Sequence, residues 1–257
     1  IVDGGKSFIA YSGRYPKNRD MANFIRIGSK LDFYYHALVT RVFDRHGFGS
    51  KRATKKLLKK IEYIKPDIIH LHNLHGYYIN IETLVNYLAS NNIPIVWTMH
   101  DCWAFTGHCA HFQYVNCNKW QKSCHTCPQK SLYPASLIVD NSKQNFINKK
   151  RLFNSINNLT IIPVSNWLNN QLKHSFFNNY HSKVIHNGVD LKVFKRSEGK
   201  TFDESYNLQN KFILLGVASV WTQRKGFYEF IKLRALLGEE FAIVLVGVNK
   251  KLQKKLP

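Results

Sequence analysis

The chain has 257 residues, 44% of them hydrophobic and 21% charged, and its 37 Lys and Arg against 16 Asp and Glu give a net charge of +21. This composition excludes a disordered basic tail and collagen-like or low-complexity proteins. The longest apolar run, residues 241–248, is far shorter than the roughly 20 residues needed to cross a bilayer. No signal peptide precedes the first predicted strand, so we expect a cytoplasmic protein.

Short apolar, β-branched runs alternate along the chain with helical segments. Near-continuous apolar runs are typical of strands buried on both faces, and this alternation predicts an α/β fold with βαβ units around a parallel sheet. A helix is predicted over residues 51–64, with an apolar stripe opposite a row of lysines and with Pro66 ending it. The predicted strands are residues 6–11, 67–72, 93–100, 160–165, 183–186, 212–219 and 241–247.

A second helix begins near Lys225, and residues 211–247 form one predicted βαβ unit. The polar stretch over residues 187–211 contains turn signals and no long periodic run, so we place a domain boundary near Gly188. The predicted domains are residues 1–188 and 189–257. About 70 residues are too few for a complete doubly wound domain, so we expect a chain truncated at both ends.

Polar residues cluster where three successive predicted strands end, the position at which open parallel sheets bind ligands. For His100, at the end of a buried strand, the functional interpretation is favoured. His70 and His72 share one face of their strand, and core hydrogen bonding and function are equally supported; helix capping is favoured for Ser165 and Asn166. The complete set is His70, His72, Asn73, His75 and Gly76, then His100 and Asp101, then Ser165 and Asn166.

Two cations lie at the start of the helix in the second predicted domain. Arg224 and Lys225 precede Gly226, where unpaired backbone N–H groups and the helix dipole favour an anion. This arrangement predicts a phosphate or diphosphate site. A solvated basic loop explains the same residues equally well.

Taken in order, these segments resemble the GT-B glycosyltransferases of family 4, which build bacterial capsule, exopolysaccharide and lipopolysaccharide. The resemblance covers nearly the whole chain. No single segment is specific, but their order and spacing are. The segments are DIIHLHN with its HG loop, PIVWTMHDCW, PVS before a helix, HNGVD followed by Phe194, and RKG.

The resemblance implies two facing Rossmann-like domains, the first holding the acceptor and the second a nucleotide-activated sugar. It implies a retaining hexosyltransferase that needs no catalytic metal and extends a bacterial surface glycan, commonly carried on a lipid. His100 would be catalytic, beside the transferred sugar. The acceptor side would hold His72, Asn73, His75 and Gly76, and the donor side Ser219, Arg224 and Lys225.

Three departures from the family pattern affect these expectations. The family has an Arg six positions before the residue that matches Lys225, and Ser219 stands there, so Arg224 would have to substitute. The family's glycine-rich first loop would precede Ile1, and its acidic pair would follow Pro257. The chain would therefore be a piece of a longer enzyme or a non-functional remnant, and we favour the first.

All five cysteines lie within a predicted loop insert, residues 102–128. Four of them have the spacing C-x7-C-x6-C-x2-C, and the closing C-x-x-C suits a tetrahedral ion, so we expect a structural zinc site. Free thiols or disulfides are the alternative, and His108, His111 or His125 would be able to replace one thiol. The predicted ligands are Cys109, Cys117, Cys124 and Cys127. Cys102 is not needed as a ligand, and we expect its side chain to be buried.

The net charge of +21 attracts polyanions. The basic face of the helix over residues 51–64 would fit an anionic membrane surface at the inner face of the cell membrane, although a solvated face is favoured for that helix taken alone. A zinc-containing, basic nucleic-acid-binding protein without enzymatic activity is the alternative function. It is disfavoured because no nucleic-acid motif occurs and the aromatic residues follow buried patterns.

Overall fold

A computed structural model describes residues 5–13, 23–195 and 201–256 of the protein. Its contacts divide the chain into two compact units, Ile1–Asn187 and Gly188–Pro257. The sheets of the described residues pair their strands in parallel, and helices connect the strands of the two sheets over residues 69–182 and 212–246, as the predicted α/β class requires. The two units are described separately below.

The first unit begins with two short parallel strands, β1 (Phe8–Tyr11) and β2 (Asn23–Arg26). β2 was not predicted from the sequence. Helix α1 (Lys30–Phe43) follows, and Ser29 and Asp32 cap each other's backbone N–H groups at its start. This cap explains why α1 begins at Lys30.

The main sheet contains four parallel strands in chain order: β3 (Ile69–Leu71), β4 (Ile95–Met99), β5 (Leu159–Pro163) and β6 (His181–Ser182). The first three are shortened versions of the predicted strands. β6 differs from the prediction over residues 183–186. Beyond Ser182 the backbone makes only alternate bonds to β5, from Lys183 N to Ile161 O and from Ile185 N to Pro163 O.

Four helices of the first unit pack beside this sheet: α2 (Lys51–Ile64), α3 (Ile81–Ser90), α4 (Ser142–Phe153) and α5 (Asn166–Lys173). α2 has the predicted bounds, and its Leu57 and Leu58 are buried while its lysines are exposed. The side chain of Ser165 caps α5, which agrees with the interpretation favoured for it. No helix in the described residues is both long and apolar enough to cross a membrane.

The segment between β4 and α4 contains the predicted loop insert, and much of it is packed into the core. We call residues 102–128 of this segment the cysteine loop. It contains short 3-10 turns at Trp103–Phe105, Phe112–Val115 and Lys119–Gln121. Trp103, Phe105 and Trp120 are almost completely buried in the main hydrophobic core, so this loop is a structural part of the first unit.

The second unit contains α6 (Thr201–Ser205), β7 (Phe212–Val217), α7 (Phe227–Arg234), β8 (Phe241–Val246) and α8 (Lys250–Gln253). β7 and β8 pair in parallel along their whole length, from Phe212 opposite Phe241 to Val217 opposite Val246. The buried Trp221 donates its indole N–H to the carbonyl of Val246 (2.9 Å) and packs on Phe230 of α7. The loop after β7 is thereby fixed to β8.

Candidate active site

Adjacent parallel strands bring two of the predicted site residues together. β3 and β4 end side by side, and His72 Nδ1 lies 3.2 Å from His100 Nε2 with the two rings stacked. Both side chains are exposed. Partial burial lowers the pKa of His72, and the neighbouring His70 and His100 lower it further. The His72 imidazole is therefore neutral at pH 7 and able to accept a proton.

His70 belongs to the same group of rings but has a structural partner. Its Nε2 lies 2.8 Å from the hydroxyl of Thr98 on β4, and its ring centre is 4.4 Å from that of His72. Partial burial lowers the pKa of His70. His70 therefore has a hydrogen-bond partner but is exposed like His72 and His100, so it is not a core histidine.

The loop after β3 places His75 against Asp101, which follows His100. His75 Nε2 lies 2.8 Å from Asp101 Oδ2, and its Nδ1 lies 3.2 Å from the hydroxyl of Tyr133. The other oxygen of Asp101 accepts the backbone N–H of Trp103 (2.9 Å). Burial raises the pKa of Asp101, but the hydrogen bonds from His75 and Trp103 outweigh it, so the carboxyl is ionised.

A buried histidine, His46, contacts the loop that carries His75. His46 Nε2 accepts the backbone N–H of Gly76 (3.3 Å), and its ring contacts those of Trp103 and Tyr133. Burial lowers the pKa of His46 well below its usual value, so the ring is neutral and accepts this bond. Gly76 has φ of +121°, a conformation that favours glycine.

Asn73, the remaining predicted acceptor-side residue, is exposed, and its carbonyl accepts a hydrogen bond from the hydroxyl of Tyr78. The sequence placed Asp101 among the polar strand-end residues without giving it a role, and it did not indicate Tyr133 or His46. Asp101 had a signal, since it directly follows His100. Tyr133 had none, because it is 58 positions from His75 and lies in a segment without a periodic pattern.

The predicted donor residues lie in the second unit. Arg224 and Lys225 form a short 3-10 turn directly before α7, and Ser219 lies in the loop after β7; all three side chains are exposed. Gly226, with φ of +79°, connects this turn to α7, whose first turn has no side-chain cap. The N–H groups of that turn are therefore left for water or an anion.

The cysteine loop holds the four predicted zinc ligands around one cavity of about 20 Å³. They are present as free thiols, and Cys102 is buried as expected. The neighbouring Cys109 thiol lowers the pKa of Cys127 below its usual value. Within the described residues, no group of three or more His, Cys, Asp or Glu side chains is placed so that it could hold a metal ion as it stands.

The sequence model described as Glycosyltransferase Family 4 matches residues 25–193. This match includes the whole main sheet and both strand ends that carry His72 and His100. The chain belongs to this family. The sheet edge described above is therefore the candidate active-site edge of a family 4 domain.

One relative illustrates the family. The chain is 26% identical over 197 residues to the putative colanic acid biosynthesis glycosyl transferase WcaC of Escherichia coli (strain K12). The alignment covers 73% of this chain and 45% of that protein, so the chain spans less than half the length of this relative.

Proposed function

We propose that this family 4 protein is a glycosyltransferase of polysaccharide biosynthesis that moves a sugar from a nucleotide-sugar donor to a growing bacterial glycan. The observation that carries the proposal is the family match over residues 25–193. The matched region contains the main sheet, at whose edge His72 and His100 meet. The similarity to a putative colanic acid biosynthesis glycosyl transferase supports the substrate class.

The proposed roles follow from the chemistry of the transfer. When the glycosidic bond breaks, the diphosphate leaves with the bonding electrons, and the sugar becomes oxocarbenium-like. Arg224, Lys225 and the uncapped start of α7 stabilise the negative charge on the diphosphate, with Ser219 as a further donor contact. The acceptor oxygen bonds to the same face of the sugar, so configuration is retained, and its proton passes to the departing phosphate.

In this proposal the first unit contacts the sugar and the acceptor. His100 contacts the transferred sugar, and stacking on His72 fixes its ring. His72, Asn73, His75 and Gly76 form the acceptor side, where Asp101 and Tyr133 hold the His75 ring. These positions are fixed before substrate arrives, which lowers the entropy cost of reaching the transition state.

The activity is testable with the full-length protein. It is incubated with UDP-, GDP- and dTDP-sugars and a lipid-linked oligosaccharide acceptor, and NMR gives the configuration of the product. We expect one donor to be used with retention, and His100→Ala to abolish transfer while His174→Ala, at an exposed histidine of α5's C-terminal end, has no effect. Thermal stabilisation by a short oligonucleotide, with none by UDP or GDP, would instead support the nucleic-acid-binding alternative.

We further propose that the acceptor is lipid-linked and that the protein docks on an anionic leaflet. A groove of 680 Å³ between α1 and α2 is lined by Leu31, Asp32 and Tyr35 of α1, by Ser50, and by Lys51, Arg52 and Lys55 of α2, so three cations face one carboxylate there. We call it the α1–α2 surface. The residues proposed to contact the membrane are Leu31, Tyr35, Lys51, Arg52 and Lys55. Leu31 is 81% and Tyr35 62% exposed, and exposed rings beside cations suit the headgroup region of a membrane.

Vesicle co-sedimentation tests the docking. Full-length protein is mixed with vesicles of phosphatidylcholine alone or with phosphatidylglycerol added. We expect binding to the anionic vesicles only, and its loss when Lys51, Arg52 and Lys55 are changed to Glu. A triple variant of Lys122, Lys143 and Lys150, exposed lysines elsewhere in the first unit, makes the same change in net charge. Equal loss in both variants would contradict a localised docking surface.

A further inference from the structure

The cysteine loop surrounds one small cavity with four thiols. Cys109, Cys117, Cys124 and Cys127 line the space of about 20 Å³, while Cys102 does not. This volume is close to that of a single water-sized sphere. It accommodates one ion and excludes any organic ligand.

The wall of the cavity is part of the hydrophobic core. Phe112 and Trp120 line it and stack on each other with ring centres 4.6 Å apart, and both are almost fully buried. Side chains packed in this way cannot move apart without exposing apolar surface. The cavity is therefore held at its present size by the fold of the first unit.

One of the four sulfurs accepts a hydrogen bond from a backbone N–H group. The N–H of Gly107 donates to Cys124 Sγ at 3.2 Å. A Cβ at Gly107 would lie 2.0 Å from the carbonyl oxygen of Ser142 and 2.7 Å from Cys124 Cβ, so only glycine permits this approach. Hydrogen bonds of this kind support thiolate ligands of metals.

The four sulfurs face one space but are not arranged around one centre. In the described residues, no group of three or more His, Cys, Asp or Glu side chains is placed so that it could hold a metal ion as it stands. All four cysteines nevertheless line the same cavity. Binding therefore requires their thiol groups to rotate toward that space while the packed wall of the cavity stays in place.

A buried lysine lies beside the cavity. Lys149 is fully buried, and its Nζ donates to the carbonyls of Trp103 (2.8 Å) and Thr106 (3.1 Å). Within the described part of the chain, no carboxylate forms a salt bridge with it. Burial lowers the pKa of Lys149 to about 7, while Cys124 and Asp44 act in the opposite direction. A negatively charged site in the cavity would favour the charged form of this lysine.

We propose that Cys109, Cys117, Cys124 and Cys127 bind one structural zinc ion. Four S–Zn bonds form, and the four thiol protons are released to solvent, so the site carries a net charge of −2 and no redox partner is needed. Four protein ligands leave no position for substrate. The ion fixes the loop that begins after His100 and Asp101, and this role is independent of the proposed sugar transfer.

His108 is the competing ligand. It lines the same cavity, its Nδ1 lies 2.5 Å from Asp44 Oδ1, and its Nε2 is buried without a hydrogen bond of good geometry. A carboxylate on one nitrogen is also the usual support for a metal-binding histidine. The test must therefore distinguish four sulfur ligands from three sulfurs and one nitrogen.

Metal analysis of the full-length protein purified without chelator tests the proposal. We expect one zinc per chain, protection of four thiols from a thiol reagent, and release of zinc when they are modified. Substitution by cobalt should give an intense sulfur-to-metal charge-transfer band and the visible bands of a four-sulfur tetrahedral site. These spectra use the wild-type protein, so they do not depend on a variant that folds.

Matched cysteine variants identify the ligands. Cys117→Ala should weaken zinc binding by more than about 100-fold, beyond the loss caused by removing a supporting group, whereas Cys102→Ala should keep one zinc per chain. His108→Asn should leave the cobalt spectrum unchanged. Less than one zinc per chain, a disulfide between any of the four cysteines, equal loss in Cys102→Ala, or a changed cobalt spectrum in His108→Asn would overturn the assignment.

Discussion

His75 Nε2 lies 2.8 Å from Asp101 Oδ2, and this pair joins the loops that follow two adjacent strands of the main sheet. Because Tyr133 occupies the other ring nitrogen, the imidazole is held in one orientation. Asp101 also accepts the N–H of Trp103 at the start of the cysteine loop. One carboxylate therefore links the predicted acceptor side to the segment that carries the proposed zinc site.

Asp101→Asn should lower kcat/KM for transfer by about 100-fold, the effect expected when a positioning contact is lost. An amide has one acceptor oxygen and cannot receive both the His75 and Trp103 hydrogens as a carboxylate does. Kinetics and ¹⁵N NMR of the His75 ring measure the change. Asp67→Asn, at an exposed aspartate, is the control. An unchanged His75 spectrum would show that Asp101 does not orient this ring.

His36 predicts acid sensitivity of the first unit. Its Nε2 accepts the N–H groups of Gly47 and Gly49, its Nδ1 faces Ser50, and burial lowers its pKa from 6.5 to about 4. Between these values the unfolded chain binds more protons than the folded chain, so the free energy of unfolding increases with pH. The shift corresponds to about 3 kcal/mol, present above pH 6.5 and lost as the pH falls toward 4.

Denaturant unfolding at a series of pH values, followed by tryptophan fluorescence, measures this dependence. His36→Gln should be less stable than wild type at pH 7 and should show a smaller change across the window. The neighbouring His46, whose pKa burial also lowers, keeps part of the pH dependence in the variant. His174→Gln serves as the control. Parallel curves for wild type and His36→Gln would contradict the assignment.

Gly107→Ala should destabilise the protein by about 1–3 kcal/mol, as overpacking a core does. The new Cβ would meet the carbonyl oxygen of Ser142 and Cys124 Cβ, and would push the cysteine loop away from α4. Thermal unfolding and zinc affinity should both decrease. Gly188→Ala is the matched control, since nothing lies within 4 Å of its Cβ position. Equal stability of the two variants would mean that the loop adapts freely.

Lys225→Ala should reduce turnover by about 100- to 1000-fold, the range for removing one group that stabilises developing charge. High salt should lower the turnover of the wild type, because screening weakens the same interaction. The difference in turnover between wild type and variant should therefore decrease as salt is added. Steady-state kinetics with the preferred donor measure it. Lys232→Ala removes an exposed charge from the last turn of α7 and should have no effect. Unchanged turnover in Lys225→Ala would contradict the proposed diphosphate contact.

The sequence predicted the family, the parallel α/β fold, the bounds of α2 and the strands β3, β4 and β5. These elements have strong local signals: an apolar stripe opposite lysines in α2, a helix stop at Pro66, and continuous apolar runs in the strands. β2 was not predicted because a strand of four partly exposed residues has no distinctive pattern of apolar and polar residues. The burial of Trp103, Phe105 and Trp120 in the cysteine loop was not predicted, because it depends on contacts with residues far away in the chain.

Sequence alone therefore determined which chemical groups end each strand, because composition and short-range periodicity are local properties of the chain. Tertiary structure decided which of those groups meet. In the tertiary structure His72 contacts His100, and His70 forms a hydrogen bond with Thr98. His75 contacts Asp101 and Tyr133. Four cysteine side chains surround one cavity. The physical reason is that strand pairing and core packing join residues far apart in the chain, and no local pattern encodes those distances.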